Sequence, residues 1–447
     1  MKRIRYWWWL LAAFISKHKK TIFIASILSV AASLSAPKLW PKLVKRWSVT
    51  TIGVIGNFRQ TDLPEFISRK ISDGLVRIDD KGQPAPDLAS EWSISDDGKV
   101  YLFTLDAQKK WHDGTRLTTS DIHLAIDNVQ TEVVDEKTIK FILKEPFSPF
   151  PTVLSRPIYK SGLIGTGPYQ QIRIKKNGDF VDRLVLTKIE DQTGNSFGPE
   201  TIMYKFYRTT KEVITALKLG EIDEIAELTS VKDISDINNL NIITNMNFDR
   251  YTAVFFNNKD SRLAEKSFRQ ALTYAIPNKP TDHTRTLSPI NPNSWGYNPQ
   301  VKPYNTDVDS AKELLKSVFG DEAYPTLELT TFLPYLTRAE EIAKAWTEIG
   351  IKTDVKVATS PPDDFQTLLI GQQIPPDPDQ YILWHSTQLT NITHYSSPKV
   401  DKLLEDGRKE TDQIKRREIY RDFQRFLLED SPAAFLEHIT TYTVKRK

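Results

Sequence analysis

The stretch 91–121 constrains the fold more than any other part of this sequence. Trp92 and Ile94 alternate with polar residues, which is typical of a half-buried β-strand. The Asp-Asp-Gly sequence at 96–98 predicts a hairpin turn, because aspartate bonds to its own backbone and glycine accepts a positive φ. The apolar run 100–105 is then the returning strand, so the sequence predicts an antiparallel hairpin.

A helix is expected soon after this hairpin. Thr118 stands three residues before Asp121, which is the spacing of a helix-capping box. Apolar side chains then recur at helical spacing, which predicts a helix over 121–129. A hairpin followed by a helix occurs in many α+β proteins and by itself indicates no function. The buried stripe of the predicted helix consists of Ile122, Ala125, Ile126 and Val129.

The side chains of this unit are more specific than its pattern. Residues 91–121 resemble the signature block of family 5 solute-binding proteins, the oligopeptide-, dipeptide- and nickel-binding receptors of ABC importers. Residues 268–276 and 289–299 resemble two further blocks of that family, and 251–258 resembles its hinge strand. The resemblance implies an α/β protein with a two-lobed periplasmic-binding-protein-like fold of cluster C type, which contains an extra small subdomain.

The same resemblance suggests how the chain is divided. A first lobe would be built from 48–75, 162–257 and 432–447, with a small β-rich subdomain, 76–161, inserted into it. The second lobe would comprise 258–431. Because the chain crosses repeatedly between two lobes, a cleft is expected at the hinge.

Capping signals place several α/β units within these lobes. Thr209 with Glu212 forms a capping box, and Gly220 ends the helix that it begins. The flanking apolar strands then make a βαβ unit with parallel strands. Ser310 and Thr337, each followed three residues later by glutamate, predict two more helix starts.

The composition excludes several classes of site. At 447 residues, with 39% hydrophobic and 11% aromatic residues, the chain is long enough for two or more folded domains. It contains no cysteine, which rules out disulfides, thiol nucleophiles and cysteine-ligated metals. The lipid-modified cysteine that anchors many receptors of the resembled family is therefore missing too.

Charge is distributed unevenly along the chain. The formal net charge is +3, but residues 1–47 carry ten Lys and Arg and no acidic residue, so the remainder carries −7. A mildly acidic body argues against nucleic acid as a partner. The basic N-terminal region is therefore expected to serve another purpose.

Residues 1–47 are predicted to anchor the chain in a membrane. The segment 6–16 contains three consecutive tryptophans and is too short to span, which suits the membrane–water interface. The run 21–40 has 20 residues and can form one transmembrane helix if Lys38 extends toward the interface. Positive charges at 17–20 favour the cytoplasm for that side, so the rest of the chain would lie outside.

A cleaved signal peptide is the alternative for this region. The small residues from Ser33 to Ala36 have suitable spacing for a signal peptidase. We favour the uncleaved anchor, because Pro37 would obstruct cleavage directly after Ala36.

The sequence shows no motif for catalysis or metal binding. It has neither a Gly-x-Ser-x-Gly elbow nor a His-Glu-x-x-His pair, and its seven histidines lack ligand-like spacing. Gly-Thr-Gly-Pro-Tyr at 165–169 resembles a turn of the receptor family rather than a phosphate-binding loop, since no Lys-Ser/Thr follows. We therefore expect no enzyme activity, no metal site and no cofactor.

The segment 375–385 is the strongest candidate for ligand contacts. It resembles the Asp-Pro-Asp-aromatic segment of the receptor family, in which dipeptide receptors hold the ligand's α-amine, and the resemblance places that role on Asp377. A solvated turn is the alternative interpretation of this aspartate. Two tryptophans are candidate pocket walls or else core residues. The predicted ligand-binding residues are therefore Asp377, Trp384, Trp295, Tyr251 and Asn257, the last two on the hinge strand.

Together these expectations describe a membrane-tethered receptor outside the cytoplasm. It would be the substrate-binding component of an ABC importer, act as a monomer, and enclose a peptide or similar small solute by hinge closure. A permease in the membrane would be its protein partner. A receptor for a nickel chelate or another small solute is the alternative within the fold. A sensor or scaffold module that kept the fold without transport is the alternative outside this class.

Overall fold

A computed structural model describes residues 8–9, 16–20, 49–189, 199–235, 237–362 and 364–447. Within these residues, no helix is both long enough and apolar enough to cross a membrane. The transmembrane helix predicted at 21–40 and most of the interfacial segment predicted at 6–16 lie outside the described residues, so both stay predictions.

The described chain begins with many short strands and continues with alternating helices and strands. Its first elements are β1 (Val49–Ile55), α1 (Glu65–Ile71), β2 (Val76–Ile78), β3 (Pro84–Pro86), β4 (Ala89–Ile94), β5 (Val100–Leu105), β6 (Val129–Val133), β7 (Thr138–Leu143), α2 (Phe150–Val153), β8 (Tyr169–Asn177), β9 (Phe180–Lys188), β10 (Thr201–Tyr207), α3 (Thr210–Leu219) and β11 (Glu224–Leu228). The later elements are β12 (Leu240–Phe256), α4 (Lys266–Ala275), α5 (Val308–Phe319), β13 (Leu327–Phe332), α6 (Leu336–Glu348), β14 (Thr353–Ala358), β15 (Thr367–Gln373), α7 (Tyr381–Trp384), α8 (Pro398–Lys409), α9 (Gln413–Asp430) and β16 (Ala433–Arg446).

Ten of the described strands form one mixed sheet, in the order β14-β13-β15-β12-β16-β11-β1-β10-β9-β8. Its central strands β12 and β16 are antiparallel neighbours of 17 and 14 residues. Their pairing is interrupted between Asn247 and Tyr251, where a bulge shifts the register. On one side of the bulge β16 pairs with β11, and on the other side β12 pairs with β15. The two strands therefore connect the two lobes of the molecule.

Each lobe has cores of its own on the two faces of its part of the sheet. In the first lobe, α1 covers one face around the buried Tyr204, and α3 covers the other face around Val213. In the second lobe, α4, α5 and α6 pack over one face around Phe268 and Trp346. Helices α8 and α9 cover the opposite face around Tyr420. This is a two-lobed α/β arrangement, as the sequence predicted.

A separate antiparallel sheet of order β4-β5-β7-β6 lies within 76–161. The predicted hairpin is its first pair, because Ile94 lies opposite Tyr101 and Gly98 in the turn has a φ of 68°. The hairpin prediction is therefore confirmed. This sheet packs over its own core around Phe103, whereas the boundaries of the three predicted segments stay predictions.

The prediction of a helix over 121–129 is wrong. Thr118 and Asp121 form the predicted capping box, but it begins only a single 3₁₀ turn. Asn128 has a left-handed φ of 63°, which ends any helical path, and β6 begins at the next residue. Pairing of β6 with β7 therefore overrides the local helical pattern. Ile122 is nevertheless buried against the core of this small sheet.

The predicted βαβ unit is formed by β10, α3 and β11. The side chain of Thr209 accepts a hydrogen bond from the backbone N–H of Glu212, and Gly220 ends the helix in a left-handed conformation. Both β10 and β11 are parallel to β1, which lies between them. The parallel orientation is confirmed, and β1 completes the wall of the first lobe.

The β-rich part of the chain within 76–161, called the small sheet unit from here on, contacts the second lobe across the hinge. The backbone N–H of Trp295 donates to the carbonyl of Lys81 at 3.1 Å, and that of Ser148 donates to the carbonyl of Arg408 at 2.8 Å. The Arg408 guanidinium also lies 5.0 Å from the centre of the Phe147 ring. The lobes are thus in contact in this structure, with a cavity left between them.

Candidate ligand-binding cleft

A cavity of about 1270 Å³ lies where β12 and β16 pass from one lobe to the other. One wall is the sheet face of the first lobe, in which Tyr204, Ile52 and Glu224 are lateral neighbours on β10, β1 and β11. Thr443 and Lys445 of β16 extend this wall, because alternate residues of a strand share one face. Pockets for small molecules typically have about 300–1,000 Å³, so this cavity has room for a peptide-sized solute.

The facing walls are built from loops of the other two parts of the molecule. The small sheet unit contributes residues from the 77–82 turn, and the second lobe contributes residues from 291–294 and 373–376. Asn247 and Asp249, at the bulge of β12, line the hinge side. Since both lobes contribute to the walls, a ligand held here would bridge them and bind most tightly when they are in contact.

Several charged side chains of the cleft are held by protein partners. Lys445 Nζ lies 3.0 Å from a carboxylate oxygen of Glu224, and Asp249 accepts a hydrogen bond from the Asn291 amide at 2.9 Å. These partly exposed contacts orient the side chains more than they stabilise the fold. Burial raises the pKa of Tyr204, with a further contribution from the Glu224 carboxylate, so its hydroxyl stays protonated at neutral pH. The lining therefore offers both charges and hydrogen-bonding groups.

Asp377 is buried outside the lining of this cavity. Its carboxylate accepts two hydrogen bonds from the Arg416 guanidinium, at 2.8 and 3.3 Å, and a third from the backbone N–H of Asp379 at 2.9 Å. Burial alone would lower the pKa of Arg416, but the facing Asp377 carboxylate raises it. The Trp295 ring lies 5.1 Å from the same guanidinium. A ligand amine would therefore have to displace Arg416 to reach this aspartate.

Trp384 and Tyr251 are packed together in a core of the second lobe. Both rings pack against the Phe435 ring, at 6.1 and 5.2 Å between centroids. The Trp384 indole N–H and the Tyr251 hydroxyl have no hydrogen-bond partner among the described residues. Both side chains are thus part of the apolar interior rather than of the cleft wall.

Asn257 fixes the end of the hinge strand. Its side-chain amide donates to the carbonyl of Phe365 at 2.8 Å and to the Asp364 carboxylate at 3.2 Å. The structure brings Asp377 together with Trp295, and Tyr251 together with Trp384, but it does not join these pairs. None of the five predicted side chains belongs to the described lining of the large cavity, and their ligand-binding roles stay predictions.

Sequence reasoning missed most of the residues that line the cavity. They come from strand faces and loops of three separate parts of the chain, and only the register between strands brings them together. The segments 289–299 and 375–385, which include Ser294 and Pro376 of the lining, were marked by resemblance to the receptor family. Glu227 carries no sequence motif that could have identified it.

The described residues contain no group of three or more histidine, aspartate or glutamate side chains arranged to hold a metal ion. Two histidines, the half-buried His112 and the buried His438, have structural contacts instead. Burial lowers the pKa of His112 and of His438, and each ring lies 3.0 Å from a backbone carbonyl. These contacts hold both rings against the backbone of the folded chain.

Comparison with known proteins identifies relatives along most of the chain. The family model described as bacterial extracellular solute-binding proteins, family 5 Middle, matches residues 83–393. The chain is 24% identical over 443 residues to the dipeptide-binding protein of Escherichia coli K12. That match covers 81% of this chain and 82% of the relative.

Solved structures share the fold. CtaP, an ABC transporter substrate-binding protein of Listeria monocytogenes, has a TM-score of 0.75 at 23% identity and covers 89% of this chain and 94% of its own. NikZ from Campylobacter jejuni, solved with Ni(L-His), has a TM-score of 0.71 at 23% identity. That match covers 90% of this chain and 94% of the NikZ chain. The family model matches well over half of the chain. The chain therefore belongs to the family 5 bacterial extracellular solute-binding proteins and binds a solute outside the cytoplasm.

Proposed function

We propose that this protein is the substrate-binding component of an ABC importer and encloses a peptide or a similar small solute between its lobes. Members of its family are transport receptors rather than enzymes. The cavity of about 1270 Å³ at the β12–β16 crossing carries the proposal, because its walls come from both lobes. A solute that contacts both walls stabilises the closed state, and a permease can distinguish that state from the open one.

A peptide is the first candidate solute, because one relative of this chain is the dipeptide-binding protein of Escherichia coli K12. A nickel chelate is the second candidate, and the NikZ complex favours it. Since no metal-binding cluster exists among the described residues, a metal would have to arrive already chelated. The ligand contacts predicted for Asp377, Trp384, Trp295, Tyr251 and Asn257 remain part of the peptide proposal.

The binding of peptides is tested by calorimetric titration and thermal shift on the full chain in detergent micelles. We expect at least one peptide of two to five residues to bind with micromolar affinity and to raise Tm. Asn293→Trp places a bulky ring at the exposed rim of the cavity and should weaken binding at least tenfold. Asn305→Trp makes the same change on an exposed loop outside the cavity and should leave peptide binding unchanged. A peptide affinity that Asn293→Trp leaves unchanged would exclude the cleft as the binding site.

We also propose that 21–40 tethers the protein as a single transmembrane helix, with 6–16 at the membrane interface and the binding body outside as a monomer. The cations of 1–47 and the uncharged run within it support this topology. The full chain should stay in the membrane fraction after alkaline washing, whereas a variant without 1–47 should be soluble. A mature N terminus near residue 37, found by mass spectrometry, would instead establish signal-peptide cleavage.

A further inference from the structure

The second lobe contacts the earlier part of the chain at the hinge and at the small sheet unit. Among the described residues, every hydrogen bond that joins 258–431 to the chain before it ends in one of two places. One place is the hinge strand β12 with the asparagine that follows it, and the other is the small sheet unit. Closure therefore brings the second lobe onto the small sheet unit rather than onto the body of the first lobe.

The small sheet unit is itself fixed to the first lobe. Lys109 Nζ lies 3.2 Å from the Asp73 carboxylate, which also accepts a hydrogen bond from the Thr166 hydroxyl at 3.1 Å. The backbone N–H of His112 donates to the carbonyl of Gly165 at 2.9 Å. Lys109 and His112 belong to the small sheet unit, and their partners belong to the segments that lead into the first lobe. The unit is therefore expected to move with the first lobe as one body.

The loop 145–148 of the small sheet unit contacts the C-terminal end of α8. The backbone N–H of Ser148 donates to the carbonyl of Arg408 at 2.8 Å, and the Ser148 hydroxyl donates to the carbonyl of Glu410. The last carbonyls of a helix have no partner within the helix. Ser148 therefore supplies donors that α8 itself lacks. These hydrogen bonds exist only while the second lobe lies against the small sheet unit.

The Arg408 side chain crosses the same interface. Its Nε donates to the buried Asp379 carboxylate at 2.8 Å. Its guanidinium carbon lies 4.1 Å from the centre of the Tyr381 ring and 5.0 Å from that of the Phe147 ring. A planar, weakly hydrated guanidinium suits such stacking better than an ammonium does. Asp379 and Tyr381 belong to the second lobe and Phe147 to the loop, so the second lobe orients Arg408 toward the small sheet unit.

Opposite charges face each other beside this contact, across a cavity of about 680 Å³. The wall on the small sheet unit carries the carboxylates of Asp127 and Glu145, and the wall on α8 carries the cations of Arg408 and Lys409. The side chains of Asp127, Glu145 and Lys409 make no hydrogen bond or ion pair with a described residue. Attraction across the gap therefore favours closure. The remaining charged lining residues bond within their own part of the molecule; they are Lys144 and Glu405.

We infer that the loop 145–148 is the surface on which the second lobe docks when the cleft closes, and that Arg408 is the residue that positions it there. The inference rests on the proposed function. These contacts keep part of the population closed before any solute binds. A solute that needs the closed state then binds with an apparent affinity proportional to the closed fraction. Arg408 and Ser148 thus set the solute affinity, although neither belongs to the lining of the large cavity.

The test measures the distance between two spin labels on the full chain in detergent micelles, by pulsed electron paramagnetic resonance. The labels are attached through Leu219→Cys in the first lobe and Leu333→Cys in the second, both exposed positions of a chain without cysteine. Arg408→Lys keeps the charge but loses the planar stacking, and Ser148→Ala removes one hydrogen bond from the opposite side. Arg425→Lys is the matched control, because Arg425 also contacts an aromatic ring and a carboxylate, both within α9.

Without solute, we expect the wild type to show a closed population with a short distance. Arg408→Lys and Ser148→Ala should each raise the fraction of the long distance at least threefold, whereas Arg425→Lys should leave it unchanged. Any alanine peptide of two to five residues that binds should dissociate faster from the first two variants, in proportion to the closed fraction that they lose. A role of Arg408 confined to the stability of its own lobe would lower Tm without changing the distances.

Distances in both variants that match those of the wild type would overturn the inference. A wild type that shows only the long distance without solute would overturn it too, as would an equal shift in Arg425→Lys. The distance measurement needs no solute. Failure of every peptide to bind would therefore contradict the proposed function, while the distances still decide whether the second lobe docks on the loop 145–148.

Discussion

Asp377 and Arg416 form an ion pair in which each side chain is only 7% exposed. Moving both charges out of water is costly, and the bidentate geometry offsets much of that cost. Loss of one partner would leave the other charge buried without compensation. At the scale of single residues, the stability of the second lobe therefore depends on keeping both members of this pair.

We expect Asp377→Asn to lower the free energy of unfolding by about 3–5 kcal/mol, because it leaves the Arg416 cation unpaired. Urea unfolding followed by circular dichroism measures the change. Asp406→Asn, which breaks an exposed pair with Lys402, should cost no more than about 1 kcal/mol. A stable Asp377→Asn protein that has lost peptide binding would instead support the ligand-binding role predicted from the sequence.

The sequence alone could not distinguish these two roles of Asp377. Its partner lies 39 positions away on α9, and only the packing of that helix determines which donor reaches the carboxylate. The same limit applies to Glu227, whose exposure depends on one extra residue in β11. Residue types can be read from a sequence, but the partners that decide their function depend on tertiary packing.

At the scale of elements, Lys279 ties the end of α4 to the loop before α5. Its side-chain amino group donates to the carbonyls of Thr273 and Tyr304, both at 2.6 Å. Burial lowers the pKa of Lys279 to about 6 from an ordinary value of 10.5, and Arg285 and Arg338 add to this effect. Between these two values the unfolded chain binds more protons at this residue than the folded protein. The residue therefore makes the free energy of unfolding fall as the pH decreases from 10.5 to 6.

Lys279→Met should remove this contribution and flatten the pH dependence of stability. Urea unfolding at three pH values between about 6.5 and 9.5 measures the slope. Lys316→Met, at an exposed position of α5, should keep the slope of the wild type. An unchanged slope in Lys279→Met would show that the folded protein keeps this lysine protonated, held by its two carbonyl acceptors.

Helix starts show which elements a local pattern can predict. The cap at Thr209 is confirmed, because its hydrogen bond with the Glu212 N–H involves only neighbouring residues, although the Glu212 carboxylate accepts from the N–H of Arg208 and not from that of Thr209. The helix predicted to start at Ser310 begins earlier, since Asp307 accepts the hydrogen bond from the Ser310 N–H. No side chain caps α6, so the cap predicted at Thr337 is wrong. The failed helix beside β6 shows the same limit, because strand pairing across the small sheet outweighed the local pattern.

At the scale of the whole molecule, the lobes meet along the rim of the cleft. A Cβ atom at Gly82 would lie 3.6 Å from Ser294 Oγ and 3.9 Å from Ser294 Cα. The Ser294 Cβ atom is bonded to both of these atoms and is therefore near the separation of about 3.5–4.5 Å that the two Cβ atoms of a disulfide have. The natural chain has no cysteine, so an engineered pair would have no competing thiols.

The double variant Gly82→Cys with Ser294→Cys should form a disulfide that locks the cleft shut. Peptide added after oxidation should then bind far more slowly than to the reduced protein, and reductant should restore normal binding. Fluorescence-detected association kinetics measure this difference. Gly82→Cys alone is the matched control, because it carries the same strain at a φ of 74° without the cross-link. Unchanged association in the oxidised double variant would contradict hinge closure as the route of ligand entry.

Strand β16 is the last of the described elements, yet it lies in the middle of the sheet between β12 and β11. Ala434 and Leu436 at its start belong to a core of the second lobe, and Val444 near its end belongs to a core of the first. A ribosome therefore makes this strand only after the other described elements, and neither lobe can complete its sheet earlier. Sheets that depend on distant pairing also fold slowly. The complete sheet of either lobe therefore becomes possible only once residues 433–446 have left the ribosome.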